Sequence, residues 1–136
     1  MAARGKKNSE YQGMNWCAPQ TRLAIYLRDG MACGYCGAGI EDEIRLTLDH
    51  LTPHTYGGTN EVANLITCCA KCNSSRGARS WTEFAVAVGG YINHDITGAD
   101  IINHIRACVS RELPRAEAKE MIARRGKLSA VLAEYR

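Results

Sequence analysis

Two short cysteine pairs, Cys33-Gly-Tyr-Cys36 and Cys69-Ala-Lys-Cys72, constrain this chain more than any other feature in it. A CxxC turn can aim two sulfurs at one point, and thiolates are preferred zinc ligands. Two such pairs form one tetrahedral all-cysteine set with no open position, which is a structural staple and not a reaction centre. Cys68 stands beside Cys69 as an alternative ligand, but the two-residue gap from Cys69 to Cys72 suits a single ion better. The staple fits the composition. The chain has 136 residues and one Phe, a thin core of the kind that small domains reinforce with a metal or a disulfide.

Seven cysteines is an odd number, and the sequence holds no apolar run long enough for a signal peptide or a membrane span. The expectation is therefore a reducing cytoplasm, no membrane, and cysteines paired on metal, not in disulfides. Cys17, Cys68 and Cys108 are left as small buried apolar residues. The net charge of +3 argues only weakly for a nucleic-acid partner. Its distribution says more: residues 1–30 carry five Lys/Arg against two acids, and residues 111–136 carry seven against four. Basic ends around a near-neutral middle suit phosphate contact.

Residues 1–15 are polar, charged and aperiodic, and read as a disordered basic tail. A helix is expected from Pro19, a good first-turn residue, to the Gly30 cap. Ile40–Arg45 reads as a polar connection and Leu46–Leu48 as a short strand running into Asp49-His50. Pro53 and Gly57-Gly58 mark a loop, Asn64–Thr67 a second strand, and a helix follows from Cys69 to about Gly77. Ser80 and Glu83 have capping-box spacing for a helix that Gly89-Gly90 should weaken or end. Further helices are expected after Thr97, after Pro114 as far as Gly126, and from Leu128 to Tyr135. His94 and His104 read as ordinary surface or packing residues. The domain reading is a tail at 1–15, a core at 16–80 and a helical C-terminal extension at 81–136.

Inside the loop between the cysteine pairs lie Asp49-His50, Pro53, Gly57-Gly58, Asn64-Leu65 and then Cys72-Asn73 with Arg76-Gly77. Together with Arg28-Asp29-Gly30 and Cys33-x-x-Cys36-Gly37, this ordered set resembles the zinc-bearing HNH nucleases. The resemblance spans roughly the middle two-fifths of the chain. It implies an α+β fold: a small ββα-metal core with a structural four-cysteine zinc site, an N-terminal helix and the helical C-terminal extension. It also implies an endonuclease hydrolysing DNA phosphodiester bonds.

The resemblance further implies that His50 is the general base. A base titrating near neutrality, as imidazole does at about pH 6.5, suits that task. Asp49 and Asn73 would supply oxygen ligands to a catalytic Mg²⁺ or Mn²⁺. Asn64 would bridge the loop backbone and hold His50. The last motif position is Asn73 where the family name has histidine; an amide oxygen still suits Mg²⁺. Arg76 and Arg79 are expected to clamp DNA phosphates if the helix continues past Gly77. Successive strand residues point to opposite faces, so the chain is expected to bend at Asp49-His50 to bring both to one phosphate.

A non-catalytic zinc-stapled DNA-binding module is the alternative; it accounts for the cysteines and the basic ends but not for Asp49, His50, Asn64 and Asn73 together. Free-standing relatives of this kind occur in phages and mobile elements, which implies a bacterial host or a phage-infected cell. Besides DNA, a second copy of the chain or a DNA-processing protein is an open partner.

Overall fold

The computed structural model describes residues 16–91 and 95–136. The proposed tail at 1–15 and His94 lie outside the described residues. Helix α1 spans Pro19–Arg28, with proline in its first turn and Gly30 just beyond its end at φ +84°. Strands β1 (Leu46–His50) and β2 (Leu65–Cys69) pair antiparallel in a two-stranded sheet. Helix α2 (Ala70–Arg76) follows β2 at once. Four more helices complete the described chain: α3 (Trp81–Tyr91), α4 (Gly98–Ser110), α5 (Arg115–Arg125) and α6 (Leu128–Ala133). This is the expected α+β arrangement, a ββα unit with flanking helices.

The sheet separates two packed regions, and its alternation decides which residue joins which. Ile66 and Cys68 share a face, and they pack with Cys33, Tyr35, Phe84, Val88 and Ile105. Leu46, Leu48 and Leu65 lie on the other face, packed with Cys17, Ile25 and Tyr26. A third cluster joins Leu23 and Ala24 of α1 to Ala118 of α5 and Val131 of α6. The helices beyond residue 80 therefore share cores with the segment before it.

Several stop and start signals act as the sequence implies. Ser80 and Glu83 exchange hydrogen bonds at the start of α3, and Gly126 closes α5 at φ +94°. One expectation fails for a tertiary reason. The Ile40–Arg45 connection is not wholly polar, because Ile40 is fully buried in a 3₁₀ turn at Ile40–Asp42. Gly89 and Gly90 lie in the last described turn of α3, which runs to Tyr91. A Cβ on Gly89 would lie 2.6 Å from the Gly98 amide nitrogen, and one on Gly98 would lie 2.6 Å from the Val86 Cα. These glycines let two helix backbones touch, and that contact outweighs the roughly 1 kcal/mol of helix propensity each lacks.

Candidate metal centre and strand edge

The sulfurs of Cys33, Cys36, Cys69 and Cys72 lie within 4.8 Å of one another. A zinc ion bound at about 2.3 Å to four sulfurs requires separations near 3.8 Å, and Cys36 Sγ and Cys69 Sγ stand 3.7 Å apart. The backbone amides of Cys36 and Cys72 point at Cys33 Sγ (3.5 Å) and Cys69 Sγ (3.4 Å). Such amide donors stabilise thiolate charge. Hydrogen bonds from Cys36 and the other thiols hold Cys33 well below the usual thiol range, whereas bonding to Cys33 pushes Cys69 and Cys72 up. Four sulfurs at these separations, with amide donors on two of them, form a donor set that fits zinc. Cys68, although adjacent, is not in the cluster; it packs inside with no exposure.

The sheet has two outer edges, and the chain covers both. Leu51 N–H donates to Asn64 O and Ala70 N–H to Arg45 O. Alternation then turns the carbonyls of Leu46, Leu48 and His50 outward on β1. Each accepts a side-chain donor: Tyr26 O–H at 3.1 Å, Asn73 Nδ2 at 3.3 Å and Arg76 Nη1 at 2.8 Å. On β2 the outward Leu65 carbonyl accepts from Arg28 Nη2 (2.6 Å) and the Thr67 N–H donates to Asp29 Oδ2 (2.9 Å). Unpaired edge groups invite pairing with another chain, and these side chains stop that.

Helix α2 lies along the free edge of β1, so that Asn73 and Arg76, one turn apart, both reach it. Asn73 also donates to Thr47 Oγ1 at 2.9 Å. Arg76 is buried and spends its donors on the protein: Asp49 Oδ2 at 2.8 Å, the His50 and Leu51 carbonyls, and Arg79 O. This corrects the expectation of a phosphate clamp, since four of its five N–H groups are engaged. Arg79 differs from expectation too. Helix α2 ends at Arg76, and Arg79 folds back to the carbonyls of Ser75 (2.7 Å) and Arg76 (3.3 Å) while stacking over Phe84. It caps the helix C-terminus, where a cation is favoured.

Asp49 is only 7% exposed. Its Oδ2 accepts from both Arg76 and Tyr35 O–H, each at 2.8 Å. Its Oδ1 has no hydrogen-bond partner among the described residues. Burial pushes the Asp49 carboxyl above its ordinary range, against the pull of Arg76 and Tyr35. Burial, then the Asp49 charge, pushes the Tyr35 hydroxyl up as well, so it stays a donor.

His50 lies on the opposite face. The pairing runs in register through Asp49↔Ile66 and His50↔Leu65, so the expected bend between Asp49 and His50 is not there. The strand simply ends after His50. The His50 ring stacks on Trp16 with centroids 4.8 Å apart and meets His54 edge-on at 4.8 Å. Its Nε2 is 2.8 Å from Asn60 Oδ1, which His54 Nε2 approaches at 2.9 Å. An amide oxygen only accepts, so the contact suits the His50 tautomer with its proton on Nε2.

Asn64 spans the loop after His50: its Oδ1 accepts from Thr52 N–H and its Nδ2 donates to the Thr52 and Thr59 carbonyls. Gly58 lies against the Thr52 carbonyl so closely that a Cβ there would sit 1.6 Å from the oxygen. Sequence reasoning missed Tyr35, Asn60 and Trp16. Tyr35 stands inside the first CxxC, and nothing local marks any of the three.

A four-thiol centre stapling a two-stranded sheet to a short helix defines the ββα-metal class of small domains. Residues 33–79 match the sequence model of the HNH endonuclease family, over the stretch that holds the thiol cluster, the two strands and α2. No curated protein and no solved structure matches the chain. No helix among the described residues is long and apolar enough to cross a membrane.

Proposed function

We propose that the protein is a metal-dependent endonuclease that hydrolyses DNA phosphodiester bonds. The observation that carries the reading is a pair of open oxygens at one strand edge. Asp49 spends Oδ2 on Arg76 and Tyr35, and Asn73 spends Nδ2 on Thr47 and Leu48. The Oδ1 atom of each is left without a hydrogen-bond partner among the described residues. A buried carboxylate oxygen without a donor is costly unless something else completes it. Oxygen ligands of this type suit Mg²⁺ or Mn²⁺, and Asp49 and Asn73 would hold the ion. When bound, it would supply Lewis-acid stabilisation of the phosphate and the leaving oxygen.

His50 is the general base in this reading. The Asn60 contact suits the tautomer protonated on Nε2, and Nδ1 is the atom that takes the proton from water. The opposite orientation of Asp49 and His50 is compatible with this because β1 is an edge strand: a phosphate at its end is approached from both faces. Asn64 pins the Thr52–Thr59 loop and so holds the strand end that carries His50. Zinc on Cys33, Cys36, Cys69 and Cys72 is the structural metal. Arg76 is a brace for Asp49. The cysteine usage supports a reducing compartment, the cytoplasm of a bacterial host or a phage-infected cell. One such unit per chain would nick one strand at a time.

The test is purified protein with supercoiled plasmid in Mg²⁺, in Mn²⁺ and in EDTA. Nicked circles in either metal, none in EDTA and none with Asp49→Asn are expected. DNA binding without any metal-dependent cleavage would overturn the enzyme reading in favour of the zinc-stapled binding module.

A further inference from the structure

A recess of about 540 Å³ opens on the His50 face of β1, between α1 and α6. Its floor is apolar, formed by Tyr26, Leu46, Leu48, Leu128 and Leu132. Its rim holds three cations, Arg22, Arg45 and Lys127, and no acidic side chain among the described residues. Arg45 and Lys127 are exposed and make no ion pair among the described residues. Arg22 extends over the ring of Trp16, which also meets the His50 ring. At its far side the recess reaches Thr47 and Asn73. It therefore reaches the candidate site at the ligand amide on the strand edge, and Leu46 and Leu48 of its floor share the sheet face of His50.

We propose that this recess is a subsite for one nucleotide of the substrate strand, next to the scissile phosphate. This rests on the nuclease reading and names where the strand goes. A largely aliphatic floor with a cationic, acid-free rim matches the two chemistries of a nucleotide: an apolar base face and a phosphate. The volume holds a base and its sugar and is far too small for a duplex. Arg45 and Lys127 meet the phosphates flanking that nucleotide, and Leu128 and Leu132, which are only partly buried, meet the base. The contact carries affinity without reading sequence, since an apolar floor offers no base-edge code. Arg45 and Lys127, not the internally engaged Arg76 and Arg79, become the phosphate contacts.

The experiment is fluorescence anisotropy of a dye-labelled single-stranded DNA across a salt series, with the full chain and zinc in place. The variants are Arg45→Gln/Lys127→Gln and, as an equal-charge control, Lys119→Gln/Arg124→Gln on exposed positions of α5 outside the recess. The rim pair is expected to bind at least about tenfold more weakly near 0.1 M salt, with a slope of log K against log salt shallower by about 1.4. The control is expected to stay within about twofold of wild type. Rim and control variants binding alike would overturn the subsite. Leu128→Glu supplies a second variant for the floor, with circular dichroism to verify its fold; a folded Leu128→Glu binding like wild type would also overturn it. Plasmid nicking on the same samples keeps the two readings apart. Wild type that binds through the rim and never cuts removes the nuclease and keeps the subsite. Wild type that cuts while rim and control variants bind alike removes the subsite and keeps the nuclease.

Discussion

Both edges of the sheet are guarded by an arginine and an aspartate, and the two guards are built differently. On β2, Arg28 and Asp29 are neighbours in sequence and pair bidentately at 2.7 and 3.0 Å, with side chains 0% exposed. Both Asp29 oxygens are used, and Arg28 also bonds the Val62 and Leu65 carbonyls. On β1, Arg76 and Asp49 meet from separate elements through one oxygen, with side chains 5% and 9% exposed. The first pair is closed and can only serve the fold. The second leaves one carboxylate oxygen without a hydrogen-bond partner among the described residues. A buried charge pair is weak evidence for stability, yet breaking a closed one is expensive.

The largest expected effect removes what both edges share. Gly34 N–H, inside the thiol knuckle, donates to the Thr67 carbonyl on β2, and Cys69 carries the chain into α2 on the β1 side. Cys72→Ser should therefore collapse both edges. Structural zinc is worth about 10 kcal/mol or more in small domains, comparable to the whole stability of a domain of about 5–15 kcal/mol. Loss of the cooperative thermal transition, with less than one zinc per chain by metal analysis, is the expected result; a variant as stable as wild type would remove zinc from the account.

Next in size is His50→Ala, which acts on the open edge alone. Cleavage should fall about 10²–10⁴-fold, the usual worth of a positioned base, while DNA affinity in a gel-shift changes little. Unchanged cleavage in the variant would end the assignment.

The comparison itself is tested by two aspartates. Asp29→Ala strands a fully buried arginine and should cost about 3–5 kcal/mol in urea unfolding. Asp49→Ala leaves Arg76 with three carbonyl partners and should cost about 1–3 kcal/mol while abolishing cleavage. Equal losses would erase the distinction between a closed and an open pair. The smallest effect is Tyr35→Phe, which removes one donor from Asp49 and should cost about 1 kcal/mol, read as a modest shift in the urea midpoint.

Much of the fold was legible because its signals are local. Pro19, the Ser80–Glu83 box, the Thr97 cap and Gly126 each set a helix end through bonds within a few residues. The cysteine cluster was legible because metal chemistry dictates spacing. What escaped depends on distant partners. Nothing near Gly89 announces that Gly98 presses on it, and nothing in IEDEIR says that Ile40 is core. Arg76 looks like any exposed helix cation until β1 is laid beside it. The straight register at Asp49-His50 was likewise invisible, since it is set by Ile66 and Leu65 across the sheet.

Cys69 ends β2, caps α2 by accepting the Cys72 amide on its sulfur, and belongs to the thiol cluster. A seven-residue helix is too short to hold itself together in water, and this one begins on an atom that a metal would clamp. Fraying can then start only from the Gly77 end and must move backward, releasing Arg76 before Asn73. In amide hydrogen exchange this gives α2 a gradient that runs against the habit of symmetric end-melting: Asn73 protected, Arg76 less so. Asn73, next to the Cys72 that belongs to the thiol cluster, lets go later than Arg76.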